Sequence, residues 1–205
     1  MTKHNREEKS RGDERREALV LAAYGVIAEK GFEGLRVRDV AAVVNVNIAT
    51  LHYYFNTKED LVKAVVDYLL HLFVTVEAPR PMNGDEPDAS AAEKLRWVFD
   101  DLEYQLQTQP EMFVVLTELH LRSQRDPAVS DLLKRLDAGW HAHIASVYQE
   151  GIDQQSFNPD LDPNTVASLL IALIKGLSIQ ATSQLDRLES EHIYKTVENW
   201  LSRPR

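Results

Sequence analysis

The stretch that most constrains the fold of this chain spans residues 38–55, where two short apolar patterns flank a polar break. Apolar residues recur at helical spacing on both sides of that break. Asn45 enters the left-handed backbone region with less penalty than most side chains, and Asn47 is a favourable N-cap residue. We therefore predict two short helices joined by a tight turn, which is a helix-turn-helix motif.

The second helix of this motif has an unusual start. It opens with the small residues Ala49 and Thr50, and three rings follow at positions 52–54. A helix with a small-residue start fits into the major groove of B-form DNA, where it can reach the base edges. The motif therefore predicts contact with double-stranded DNA.

The net charge of −9 would argue against nucleic-acid binding if it were spread evenly along the chain. Residues 1–60 contain ten basic and ten acidic side chains, so the whole excess of acid lies in residues 61–205. A neutral head in front of an acidic body would turn toward phosphate because the body is repelled. The alternative reading is that the acidic surface serves only solubility.

Length and composition favour a cytoplasmic globular protein. The 205 residues can bury a substantial core, and no uninterrupted apolar run is long enough to span a bilayer. The charged first residues lead us to expect no secretory leader. We therefore expect no association with a membrane. The absence of cysteine excludes disulfides and thiolate metal sites.

Neither a catalytic nor a metal-binding pattern is present in the sequence. His141 and His143 lie two residues apart, so a helix directs them to different faces and they cannot share a metal as an i, i+4 pair would. The chain also lacks a glycine-rich phosphate loop and a Gly-x-Ser-x-Gly elbow. We predict a protein that is not an enzyme and needs no cofactor.

Apolar periodicity predicts helices throughout, and no alternating strand pattern occurs. The predicted fold is all-α, with an N-terminal three-helix helix-turn-helix head in residues 1–60 and a larger helical body in residues 61–205. Residues 1–12 are expected to be a mobile arm and residues 78–92 a loop. The helices are predicted near residues 13–30, 37–44, 48–55, 58–77, 91–108, 110–122, 127–151, 166–184 and 189–201.

The helix predicted at residues 166–184 is apolar on nearly every side, so it must be covered on nearly every side. With the last helix it could form a four-helix interface across a two-fold axis, although a helix at the centre of its own domain would look the same. We favour the homodimer, because helix-turn-helix proteins generally read two half-sites. The predicted interface residues are Leu169, Leu173, Gly176, Leu177, Gln180, Ile193, Val197 and Trp200.

Taken together, the motifs of the first third resemble the TetR family of bacterial transcriptional regulators. The resemblance rests on Gly31-Phe32, on residues 38–41, on Val46-Asn47 and on residues 50–61. It implies a DNA-binding head joined to an all-helical body that binds a ligand and dimerises.

The resemblance also implies roles for individual head residues. Arg38 would reach a guanine edge or a phosphate, while Ile48 and Ala49 would offer only apolar contact to bases, for example to thymine methyls. Thr50, Tyr53, Tyr54 and Lys58 match the phosphate-contacting set. His52 stands where tyrosine is usual, and Arg36 stands where an N-cap Thr or Ser is common. The full predicted DNA-binding set is Arg36, Arg38, Asn47, Ile48, Ala49, Thr50, His52, Tyr53, Tyr54 and Lys58.

The resemblance further implies an effector pocket in the body. Its candidate lining residues combine aromatic surface with polar groups, although any one of them could be ordinary core. They are Trp97, Tyr104, Phe113, Leu116, His120, Trp140, His143 and Tyr148. Their composition favours a fairly apolar small molecule.

Three functions remain open from the sequence. The favoured one is a homodimeric repressor that leaves a palindromic operator when an effector binds in the body. A second is a similar DNA-binding protein that has no effector and acts through a protein partner. A third is a helical ligand-binding protein that never meets DNA.

Overall fold

The computed structural model describes residues 3–75, 89–182 and 190–202. Within these ranges the chain is helical, and only an isolated bridge between Phe157 and Ser202 is of the β type, so the predicted all-α class is confirmed. The helices are α1 (Lys3–Gly34), α2 (Val37–Val43), α3 (Ile48–Tyr54), α4 (Lys58–Thr75), α5 (Ala91–Thr108), α6 (Pro110–Ser123), α7 (Pro127–Asp153), α8 (Pro163–Thr182) and α9 (Ser190–Leu201).

The chain divides into two compact units. Unit 1 contains the residues up to 74 together with residues 114–132, and unit 2 contains residues 75–113 and those from 133 onward. Unit 1 therefore contains most of α4 and α6 in addition to the predicted head, residues 1–60. Whether residues 61–205 act as one functional domain stays a prediction.

Short-range side-chain caps fix several of the helix starts. Ser90 and Glu93 form a capping box at α5, and the hydrogen bonds from Ser90 lower the pKa of the Glu93 carboxyl. Thr57 and Asp60 exchange the same pair of bonds at 3.0 and 3.1 Å before α4. Asp162 accepts from the Thr165 amide at 2.8 Å at the start of α8.

Helix α1 starts earlier than predicted, but its regular part ends where predicted, at residue 30. It begins at Lys3, so the segment expected to be a mobile arm is helical from that residue on. This segment has no apolar periodicity, but lysine, glutamate and arginine are good helix formers even when no face is buried. At the other end the helix breaks at Gly31, whose φ of 70° and ψ of 171° are non-helical.

The core of unit 1 forms between α1, the helix-turn-helix and α4. Helix α1 packs on α2, and α2 packs on α3. Residues 114–132 add further apolar side chains to this unit. Its most buried side chains include Leu19, Ile27, Leu35, Leu51, Phe55, Leu61, Leu69 and Leu119.

Unit 2 is built on contacts of α5 with α8 and α9. Phe99 of α5 meets Tyr194 of α9 with ring centroids 5.7 Å apart, and the Tyr194 hydroxyl donates to the Ala92 carbonyl at 3.0 Å. Burial raises the pKa of Tyr194 to about 12. After α7, the Phe157 ring stacks on Tyr148 at 5.1 Å.

Among the described helices, α8 is the only one long and apolar enough to cross a membrane on length and composition, with a mean hydropathy of 1.5. A core helix has the same composition, and one face of α8 is buried within unit 2. The buried residues are Val166, Ala167, Leu170, Ile171, Ile174, Leu177 and Ser178.

Candidate nucleic-acid interface

The turn between α2 and α3 has the geometry that the sequence predicts. Asn45 adopts a φ of 55°, and the Val46 amide donates back to the Ala41 carbonyl at 2.9 Å. Asn47 is extended and its side-chain oxygen accepts from the Thr50 amide at 2.7 Å, which caps α3. The Leu51 side chain of α3 is buried in the core of the unit, and this fixes the orientation of the helix.

The outer face of α3 carries most of the predicted DNA contacts, and these side chains are exposed. Tyr53 is 82% exposed and Ile48 48% exposed, and Ala49 and His52 are also exposed. Tyr54 is half-buried, and its ring meets the Tyr53 ring edge-on at 5.1 Å. An apolar surface with hydroxyl groups is therefore available to a groove.

Thr50 is placed differently from the rest of this face. It is half-buried, and its hydroxyl donates to the same Asn47 oxygen at 3.0 Å. A hydroxyl has a single proton, so Thr50 must release this bond before it can donate to a phosphate. Its predicted phosphate contact stays a prediction.

The three cations assigned to DNA lie at the starts of α2 and α4. The Arg38 side chain is 77% exposed, with Nε 3.4 Å from an Asp39 oxygen. Arg36 donates through Nη1 to the Glu33 carbonyl at 2.8 Å and provides no side-chain cap for α2. Lys58 is half-buried, and its ammonium lies 5.5 Å from the centroid of the Phe32 ring.

A contact that the sequence did not predict holds the turn before α2. The Phe32 amide donates to Oε2 of Glu118, 86 residues away on α6, at 2.8 Å. One helical turn further on, the Arg122 guanidinium lies 5.0 Å from the centroid of the Phe32 ring. No local pattern reports such a pair, because cap and turn signals span only three or four residues.

The candidate effector residues fall into both units. Leu116 and His120 belong to unit 1 and the others to unit 2. Trp97, Tyr104 and Trp140 are half-buried, His143 is exposed and Phe113 is buried. Tyr148 has the environment of a core residue, because its hydroxyl donates to the Asn158 carbonyl at 2.9 Å and burial raises its pKa.

The environment of His120 is distinctive. Its Nδ1 lies 2.9 Å from the Leu116 carbonyl, which requires a proton on Nδ1. Its buried Nε2 has no hydrogen-bond partner within the part of the chain that the structure describes. In the neutral ring this nitrogen presents a lone pair to any donor that reaches it.

The candidate dimer residues divide between an outer and an inner face. Leu169 is 50% and Trp200 44% exposed, while Leu177 and Val197 are 9% and 7% exposed and belong to the core of unit 2. The remaining four, Leu173, Gly176, Gln180 and Ile193, are half-buried or exposed. Periodicity could not separate the faces, because α8 is apolar all round.

Both parts of the chain match known family models. Residues 19–65 match the bacterial regulatory proteins of the tetR family, and residues 91–203 match the C-terminal model of the BetI-type transcriptional repressors. The second match alone covers more than half of the chain. The chain belongs to the TetR family of transcriptional regulators. Members of this family bind DNA and are not enzymes, which confirms both predictions at that level.

Individual relatives agree with this assignment. The chain is 25% identical over 168 residues to the nicotine-responsive transcriptional repressor HdnoR of Paenarthrobacter nicotinovorans, covering 82% of this chain and 83% of that protein. A TetR-family protein from Rhodococcus sp. superposes with a TM-score of 0.78 at 26% identity, over 92% of this chain and 98% of its own. A transcriptional regulator from Saccharomonospora viridis, solved in complex with choline, superposes with a TM-score of 0.75 at 26% identity. The match covers 92% of this chain and 95% of that protein.

Proposed function

We propose that this TetR-family regulator is a homodimeric repressor that binds a palindromic operator and leaves it when a small molecule binds in the helical body. The observation that carries the DNA-binding part is the outer face of α3, where Tyr53 is 82% exposed although it is a large aromatic residue. One exposed ring would be ordinary, but Tyr53 pairs with the Tyr54 ring on a helix that also exposes Ile48, and a grouped apolar surface of this kind marks a partner site. We place this activity in the cytoplasm.

DNA recognition would divide between apolar and polar groups. Ile48 and Ala49 would meet thymine methyls, and Arg38 would read guanine or hold a phosphate. The tyrosine hydroxyls would position the head on the backbone without reading sequence. This division predicts an operator with A·T base pairs beneath the start of α3.

The outer face of α8 and α9 supports a dimer. Leu169, Ile179 and Trp200 are each 44–51% exposed. A Cβ added at Gly176 would meet no atom within 4 Å, which leaves room for another helix to come close. A second copy of the same surface would bury these side chains and give the two-fold symmetry that a palindromic operator requires.

The Nε2 of His120 has no hydrogen-bond partner among the described residues, and this supports an effector that donates a hydrogen bond. A ligand that donates a hydrogen bond to this nitrogen removes the free-energy cost of leaving a buried acceptor without a partner. Nicotine, named for one relative, carries an N–H donor when protonated, and choline, bound in another, carries a hydroxyl. We therefore propose a small, fairly apolar effector with one donor group. Nicotine and choline are suitable first probes of the donor, and both are cations in the form that presents it.

The test begins with a DNA duplex selected from a random-sequence library by the purified protein. Selected duplexes should contain an inverted repeat, binding should weaken as salt rises, and sedimentation should give two copies of the chain per duplex. Nicotine or choline should then raise the melting temperature of the protein and lower its DNA affinity. A His120→Leu variant should lose this response while it still binds DNA. Selection of direct or single sites would refute the dimeric repressor.

A further inference from the structure

The turn at residues 31–33 is held from outside its own helix. Gly31 combines a φ of 70° with a ψ of 171°, a conformation essentially restricted to glycine, and this removes the Phe32 amide from the helical ladder. The Glu118 carboxylate of α6 accepts from that amide at 2.8 Å. A hydrogen bond from a backbone N–H to a carboxylate is stronger than one between neutral groups.

A second side chain of α6, that of Arg122, contacts the same turn. Arg122 lies one helical turn after Glu118, with its guanidinium over the Phe32 ring and Nη1 3.6 Å from a Glu33 oxygen. Asp126 anchors the guanidinium through Nε and Nη2, each at 3.1 Å. The Arg122 fork is therefore fixed in place, and its planar face is presented to Phe32.

The contacts of Glu118 and Arg122 with Phe32 are called the clamp below. The turn that the clamp holds leads directly into the helix-turn-helix. The Leu35 amide donates to the Phe32 carbonyl at 3.2 Å, Arg36 donates to the Glu33 carbonyl, and α2 begins at Val37. Few rotatable bonds therefore separate the clamp from Arg36 and Arg38. A shift of the turn would be passed on to both arginines.

We infer that Glu118 and Arg122 are positioning residues for DNA binding, through which α6 sets the DNA-competent arrangement of the head. Helix α6 begins at Pro110, and its first residues belong to unit 2. A rearrangement in unit 2 that moves α6 would therefore pull on the Phe32 amide. This deepens the proposed function by naming a place where an effector signal would enter the head, and only that last step depends on effector release.

For the variant Glu118→Gln, charge alone predicts a change in DNA affinity opposite to the one that we expect. Glu118→Gln removes a negative charge from a DNA-binding unit, which by electrostatics alone should tighten DNA binding. Loss of the clamp should weaken binding instead. The matched control is Glu29→Gln on α1, which removes the same charge at an exposed position of the same unit.

The experiment measures DNA affinity by fluorescence anisotropy, on a duplex selected by the wild-type protein and without any effector. We expect Glu118→Ala to bind about tenfold more weakly, the loss of a net ~1.4 kcal/mol. Glu118→Gln keeps a side-chain oxygen that can accept from the Phe32 amide, so its DNA affinity should fall only about threefold. The slope of affinity against salt should stay unchanged, because Glu118 touches no phosphate. Glu29→Gln should bind as tightly as the wild type or tighter.

Hydrogen exchange shows whether the bond to the Phe32 amide is lost locally or through unfolding of the whole unit. The Phe32 amide should exchange faster in both Glu118 variants, while amides in the middle of α4 keep their protection. Arg122→Lys, which retains the charge without the planar fork, covers the case in which Glu118→Ala fails to fold, and it should lose about twofold in affinity. Wild-type affinity in Glu118→Gln and Arg122→Lys, or unchanged exchange at Phe32, would overturn the inference. Because no effector is present, failure of the proposed release would leave this result intact.

Discussion

Two glycines of α1 should respond to the same substitution with opposite signs. Gly31 has a φ of 70° and a ψ of 171°, while Gly25 lies in the regular part of the helix. A Cβ added at Gly31 would lie 3.1 Å from a Glu118 oxygen, and one added at Gly25 would meet no atom within 4 Å. Gly31→Ala therefore adds backbone strain and a tight contact, whereas Gly25→Ala adds neither.

The magnitudes follow from the backbone. A non-glycine residue held in the Gly31 conformation costs ~1–3 kcal/mol, so Gly31→Ala should lower the free energy of unfolding by about 2 kcal/mol. Alanine is better than glycine within a helix by ~0.5–1 kcal/mol, so Gly25→Ala should raise it by that amount. For a chain of this size each kcal/mol corresponds to a shift of ~2–4 °C in melting temperature. The two variants should therefore differ by about 5–12 °C.

Thermal unfolding followed by far-UV circular dichroism measures both variants side by side. Gly31→Ala should also bind the selected duplex more weakly, because the added Cβ crowds the Glu118 carboxylate beside the Phe32 amide. A Gly31→Ala protein as stable as the wild type would refute the argument from backbone strain. A stabilised variant at both positions would show that only helix propensity matters.

Two further predictions concern exposed side chains. Tyr53→Phe should weaken DNA binding about threefold to tenfold, because the hydroxyl is lost. The melting temperature should stay constant, because the side chain is 82% exposed. An unchanged DNA affinity in anisotropy would exclude a phosphate contact from this hydroxyl. Leu169→Glu should convert the dimer to a monomer in sedimentation, because it buries a charge in an apolar interface. The matched control is Leu121→Glu, at a residue 64% exposed in unit 1, which should leave the dimer intact.

The sequence was most informative where the interaction is local. The caps at Asn47, Ser90 and Asp162 each join residues three apart, so residue type and spacing suffice to predict them. The positive φ of Asn45 follows in the same way from the polar break between two apolar patterns. The helix-turn-helix could therefore be placed within a residue or two.

Interactions between distant parts of the chain were not predictable. The Glu118 carboxylate meets the Phe32 amide only because α6 packs in unit 1, and nothing near either residue in the sequence indicates it. Likewise, Leu177 and Leu169 look equivalent along α8, but the first is buried in its own unit and the second is exposed. The missing information is which helix packs on which, and periodicity does not contain it.

The distribution of cations in the head leads to a last prediction. Helix α3 contains no lysine or arginine, so its phosphate contacts would come from hydroxyl groups, which release no counterions. The cations assigned to DNA are Arg36, Arg38 and Lys58, and the Lys58 ammonium already lies over the Phe32 ring. Two or three cations in each head of a dimer give a slope of log affinity against log salt of about −4 to −5.

This slope tests the assignment of the cations directly. Arg38→Ala should make it shallower by about 2, one phosphate for each head, if Arg38 holds a phosphate. If Arg38 reads guanine instead, the substitution should reduce discrimination at one base pair of the operator by ~1–3 kcal/mol. A wild-type slope steeper than about −7 would require further cations, and the basic start of α1 is the nearest source along the chain. A slope near zero would refute phosphate contact by all three residues and leave recognition to the exposed face of α3.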